Sequence, residues 1–174
     1  MNILKEWTGM NNGNIVFDTD YDNWSENTSC FKELVSKCKN IVFLIEDENN
    51  EKYGFFSSVS YDIFNKFNYI NFMDDKLAFA FNIQSNGRLE KPMKFELQKR
   101  KYMNFRVEDK QHCVLVDLSG IRIWKYSKRH QCDMFPSSII YPNNENIING
   151  KPYFDPQNKE CHFALKRLVC FQMI

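Results

Sequence analysis

Glycine and proline are scarce in this chain, six and five residues against sixteen phenylalanines in 174. With 43% hydrophobic and 16% aromatic residues beside so few backbone breakers, the composition excludes a disordered chain and predicts a packed core. No stretch reaches the roughly 18 consecutive apolar residues that a membrane-spanning helix needs. The opening MNILKEWTGMNN also lacks the apolar centre of a signal peptide. A soluble intracellular protein is expected, cytoplasmic or nuclear. Net charge is nearly absent too: 23 basic residues face 22 acidic ones. The whole molecule therefore exerts no strong pull on phosphate or anionic lipid, and any such attraction has to be local. Alanine is sparse while Asn, Lys, Ile and Phe abound, which fits an AT-rich coding bias and removes prion-like meaning from the asparagines. Repeats, low-complexity tracts and linkers are lacking, so residues 1–174 are expected to form one domain, long enough to bury most of its apolar surface.

What is present is a series of strand signals. Ile41 to Ile45 is apolar at every position, as in a strand buried on both faces. A polar tip, Asp47-Glu48-Asn49-Asn50-Glu51, then leads into the aromatic arm Tyr53-Gly54-Phe55-Phe56, which predicts a central hairpin. Ile15 to Phe17 predicts a first strand. Phe31, Leu34, Val35 and Cys38 follow at i, i+3, i+4 and i+7, the stripe of an amphipathic helix capped by Thr28 or Ser29. Residues 61–76 are aromatic-rich without a period and predict a loop or short helix. Leu77 to Ile83 and Lys94 to Gln98 alternate and flank an Asn86-Gly87 turn. Cys113 to Leu118 and Ile121 to Tyr126 flank a Ser119-Gly120 turn. Residues 127–160 are polar, carry four prolines and predict a long surface excursion. Phe163 to Ile174 is a closing strand. Antiparallel hairpins with few helices to cover them predict an α+β fold of two antiparallel sheets packed as a sandwich, with peripheral helices.

The segments IVFDTDYDNWS, NIVFLIEDENNEKYGFFSS, KLAFAFNIQSNGR and FALKRLVCFQM, beginning at Ile15, Asn40, Lys76 and Phe163, together resemble the TLDc family, the domain of oxidation-resistance proteins and nuclear-receptor coactivators. The resemblance covers essentially the whole chain. It differs from the family pattern in having a single glycine, Gly54, where typical members have two, and Gln111-His112-Cys113 in place of a glycine-rich approach. The resemblance implies a sandwich of two antiparallel sheets, a role in oxidative-stress resistance and, in several members, binding to the V-type proton ATPase. It comes without an agreed catalytic mechanism, and a non-enzymatic interaction domain with a protein partner and no cofactor is expected.

Several side-chain groups bear on chemistry. Asp18, Asp20 and Asp22 match the first half of a calcium-binding EF-hand loop, where alternate carboxylates converge on the ion. Position six is Asn23 instead of Gly, and position twelve is Ser29 instead of Glu, so a turn leading into a helix is the stronger reading. His112-Cys113, His130-x-Cys132 and Cys161-His162 lack the spacing of paired zinc knuckles. The six cysteines, Cys30, Cys38, Cys113, Cys132, Cys161 and Cys170, read as reduced thiols in a chain large enough to do without staples. Cys132, beside Arg129 and His130, is the candidate for a redox-active thiol, whereas Cys113 and Cys170 read as core filler. Two basic runs carry the rival functional reading. Lys99, Arg100 and Lys101 with Arg106, and Lys128 with Arg129, stand among aromatics, the composition that neutralises phosphates and stacks bases. The alternative is therefore a nucleic-acid-binding, transcription-regulatory protein.

Overall fold

Alternating aromatic and β-branched residues place most of the described residues in strands, and the side each residue faces decides how the strands are covered. The computed structural model describes residues 2–25, 30–60, 70–71, 75–85, 90–96, 104–110, 113–118, 121–124, 132–134 and 161–174. Among them are two short helices, α1 (Asn2–Thr8) and α2 (Phe31–Val35). The strands are β1 (Asn12–Asp18), β2 (Ile41–Asp47), β3 (Lys52–Ser57), β4 (Ile70–Asn71), β5 (Phe79–Gln84), β6 (Met93–Glu96), β7 (Asn104–Lys110), β8 (Cys113–Leu118), β9 (Ile121–Trp124), β10 (Cys132–Met134), β11 (Cys161–Phe163) and β12 (Leu165–Met173). They form two six-stranded sheets, ordered β1-β12-β2-β3-β5-β6 and β11-β10-β9-β8-β7-β4. The neighbouring strands in both run antiparallel.

The expected central hairpin is β2–β3, and β2 lies inside the first sheet between β12 and β3. The expected β5–β6 and β8–β9 pairs also form, as does the closing strand, with β11 leading through Ala164 into β12. Three strands arise where none was expected, β4 among them, in the stretch read as a loop or short helix. β7 carries four charged residues that hide the alternation of Phe105 and Val107, and β10 lies inside the stretch read as a surface excursion. The proposed helix caps Thr28 and Ser29, the Asn86-Gly87 turn and residues 135–160 lie outside the described residues.

Successive residues of a strand face opposite sides, and in the first sheet both sides are apolar. Ile41, Phe43, Ile45, Tyr53, Phe55, Ala80, Leu168 and Cys170 enter one buried cluster with Phe17, Phe31 and Val35. Val42, Phe56, Phe79, Phe81, Phe171 and Met173 enter a second cluster on the other side, under Leu4 of α1. The first cluster also contains Ile123 of β9 and Phe163 of β11, and the Tyr53 and Phe163 rings meet edge-on at 5.5 Å.

Gly54 sits between Leu44 of β2 and Phe81 of β5. An added Cβ would collide with the Phe43 carbonyl oxygen and stand 2.9 Å from Phe81 Cζ. Hydrogen there lets the Phe81 ring lie across the strand. Because the obstacle is backbone in a central ladder, Gly54→Ala is expected to destabilise the chain by about 1–3 kcal/mol, the usual cost of overpacking. The check is the urea unfolding midpoint; an unchanged midpoint contradicts this packing.

Candidate functional site

A connected polar cluster joins the acidic segment after β1 to β12. β1 and β12 are antiparallel neighbours with Asp18 opposite Val169, which brings Arg167 beside the turn although 149 positions separate it from Asp18. Asp18 is 2% exposed. Its carboxylate accepts from Arg167 Nε at 2.9 Å and from Nη2 of the same guanidinium, a two-point pairing that suits the planar fork. Arg167 Nε also lies 2.9 Å from Asp20 Oδ2, and its guanidinium stands 5.9 Å from the Tyr21 ring centre.

The rest of the segment is a hydrogen-bonded turn. Tyr21 and Asp22 amides donate to the Asp18 carbonyl at 3.0 and 2.7 Å. The Asp18 amide donates to Asp22 Oδ2 at 2.7 Å, and the Asp20 amide donates to Asp18 Oδ1 at 3.1 Å. Thr19 and Leu168 exchange bonds, the Thr19 amide giving to the Leu168 carbonyl and the Leu168 amide to Thr19 Oγ1, both at 3.1 Å. Beyond the turn, Phe17, Trp24 and Phe31 pack mutually at 4.9–5.5 Å and hold α2 against β1. The sequence suggested that these carboxylates favour a helix start. In the structure Asp18 and Asp20 engage Arg167, and α2 begins only at Phe31.

Hydrogen bonding from Arg167 holds the Asp18 carboxyl below its usual range, against an upward push from burial. The same bond raises Arg167 further, so the pair stays ionised. With one aspartate bound to arginine at two points, a second sharing Nε and a third accepting a backbone amide, the three carboxylates are not turned toward a common ion. No group of three or more His, Cys, Asp or Glu among the described residues is arranged to hold a metal.

Two further polar centres fasten chain to chain. Asp75 Oδ2 accepts from Ser57 Oγ at 2.9 Å and the Ser58 amide at 2.8 Å, while Oδ1 accepts from Ser58 Oγ at 2.6 Å and the Leu77 amide at 3.2 Å. This ties the end of β3 to the approach to β5. At the β2–β3 tip, buried Asp47 accepts from the Asn49 and Glu51 amides through Oδ1 at 2.9 and 3.0 Å. Asn50 there adopts φ 59°, which an asparagine tolerates. On the surface, Lys166 Nζ reaches Glu46 Oε1 at 2.7 Å and is the main cause of the lowered Glu46 pKa.

Of the basic candidates, Arg106 lies on β7, opposite Asp117 of β8. Asp117 is in turn opposite Arg122 of β9, and Arg122 opposite Asp133 of β10, whose partner on β11 is His162. Positively and negatively charged positions thus alternate along one row of the second sheet. Lys99, Arg100, Lys101, Lys128 and Arg129 lie outside the described residues, as do His112 and His130. Cys132 occupies a ladder position opposite Phe163. Cys170 is fully buried, and burial pushes its thiol and that of Cys38 upward, the reverse of activation. Cys30, Cys38 and Cys170 are free thiols. Sequence reasoning missed Arg167 and Asp75, whose partners are distant in the chain.

A scan against protein-family models and a search of the curated proteins each find no match for this chain.

The Asp18–Arg167 pair makes stability depend on acid. Because the folded pKa of Asp18 is depressed, its stabilisation is complete above the unfolded value of about 3.9 and is lost as pH falls through the folded value. Asp18→Asn is expected to cost about 1.5–3 kcal/mol at neutral pH, the range for charged hydrogen bonds. The gap between wild type and variant should narrow as pH is lowered below 4. Unfolding curves across that range check it, and a gap that persists at acid pH contradicts the assignment.

Proposed function

We propose that the chain is a non-enzymatic interaction domain of TLDc type, its two sheets packed as a sandwich with helices at the periphery, serving the oxidative-stress response or the regulation of a V-type proton ATPase in the cytoplasm. The observation that carries this reading is spatial. The four segments that resemble the family are separated in the sequence, yet their strands β1, β12, β2, β3 and β5 lie side by side in one sheet. Support for the sandwich comes from Ile123 and Phe163, residues of the second sheet that share a buried cluster with the first.

An interaction role also fits the use of the polar clusters described above. Arg167 with Asp18, and Asp75 with Ser57 and Ser58, hold their own elements in place. The nucleic-acid alternative draws least from Arg106, whose ladder position opposes an aspartate. A thiol peroxidase would need a depressed thiol pKa; burial moves Cys38 and Cys170 the other way, while the thiol singled out from the sequence, Cys132, holds a ladder position opposite Phe163.

Immobilised chain should retain purified V-type ATPase at micromolar concentration, and nuclease treatment should leave the retention unchanged. Absence of binding to the pump contradicts that partner. Retention of the chain on DNA or RNA that falls steeply with salt would instead support the nucleic-acid regulator.

A further inference from the structure

Within the first sheet, β2, β3, β5 and β6 pair in the order in which the chain is made. The second sheet does the same from β7 to β11. β12 departs from that order. It enters between β1 and β2, and both its ladders are long-range: 149 positions separate Asp18 from Arg167, and 120 separate Glu46 from Lys166.

Much of the first sheet hangs on this insertion. Among the described strands β1 pairs with β12 alone, from Asn12 opposite Met173 to Asp18 opposite Val169. Phe17 also meets Phe31 of α2 edge-on at 4.9 Å, a side-chain contact that sets no strand register. β2 has β3 along one edge, and among the described strands its other edge is met by β12, from Leu165 opposite Asp47 to Gln172 opposite Ile41. β12 also sends side chains to both faces at once, Leu168 and Cys170 into one buried cluster and Phe171 and Met173 into the other. Its polar contacts reach the same neighbours. Arg167 and the Leu168 amide hold the turn after β1, and the Met173 amide donates to the Asn40 carbonyl at 2.8 Å, just before β2. One nine-residue strand thus serves β1, β2 and both cores.

Synthesis runs from β1 to β12, so these contacts come last. At about 5–20 residues per second, Arg167 is made about 7–30 s after Asp18. Until then β1 lacks the ladder that β12 provides, and the apolar run Ile41 to Ile45 waits for the partner of its second edge. Pairing across such a separation also carries a larger loop-closure cost than closing a hairpin does.

We propose that β12 is a closing strap: its insertion between β1 and β2 is a single late step that completes the first sheet, and β1 with its acidic turn becomes ordered only in that step. The Asp18–Arg167 pairing is the fastening of the strap, made once the strap is in place. This closure is independent of any partner the domain binds.

The test uses the full chain, refolded from urea by dilution and pulse-labelled by hydrogen exchange at successive times. Amides of β1 and β12 should gain protection together, at a rate about tenfold below that of the β2–β3 and β8–β9 hairpins. Separate phases for β1 and β12, either of them ahead of β2–β3, or one phase shared by all these strands overturns the proposal. If dilution does not return folded protein, exchange from the native state decides. Opening of β12 strips β1 of its ladder, so β1 amides no better protected than those of β12 support the strap, and better protected ones overturn it.

Discussion

Burial of the first sheet on both faces is the constraint on which the rest depends. β2, β3, β5 and β12 send alternate residues into two apolar clusters, and each cluster needs a cover. On one side Phe31 and Val35 of α2 join Ile123 and Phe163 of the second sheet. On the other, among the described residues, α1 lies over the cluster through Leu4 and Trp7, and Lys94 over the Phe79 ring. Apolar area removed from water contributes roughly 25 cal/mol per Å², so an uncovered face of Phe56, Phe79, Phe81 and Phe171 would leave a large aromatic patch exposed. The two short helices and the absence of a side chain at Gly54 are consequences of that demand.

Among the described residues, several of the buried polar groups fasten one part of the chain to another. β12 arrives from the far end of the sequence and inserts between β1 and β2, and the Asp18–Arg167 pairing with the Thr19–Leu168 exchange locks it to the first strand. Asp75 performs the equivalent task between β3 and β5, and the Asp47 turn closes the β2–β3 hairpin. Carboxylates that resemble calcium ligands in the sequence act here as acceptors for arginine and amide donors. An interaction domain is consistent with such economy, because recognition can then fall to covering elements and loops while the fastenings stay fixed.

Much of the first sheet was legible in the sequence, and the reason is local. Ile41 to Phe56 announces its hairpin through an apolar run, a turn-forming tip and an aromatic run, and Phe79 to Ile83 announces β5 by alternation. α1 escaped because its seven residues hold only three large apolar side chains, Ile3, Leu4 and Trp7, too few to establish a helical period. β7 escaped because Arg106, Glu108, Asp109 and Lys110 mask its apolar positions. The Arg167 clamp and the Asp75 anchor escaped for a different reason: their partners are 149 and 17–18 residues away, and only the folded sheet brings them together. Arg106 read as part of a basic run, whereas the ladder aligns it with Asp117, a relation that linear charge counting does not contain.

Paired truncation of the two faces tests double-sided burial most directly. Phe43 points into one cluster and Phe81 into the other, both fully buried. Removing either ring from a closed core costs about 3–5 kcal/mol, so Phe43→Ala and Phe81→Ala should lower the unfolding free energy by comparable amounts in that range. A Phe81→Ala variant within about 0.5 kcal/mol of wild type, the behaviour of an exposed position, would show the face beneath α1 to be open and would contradict the account.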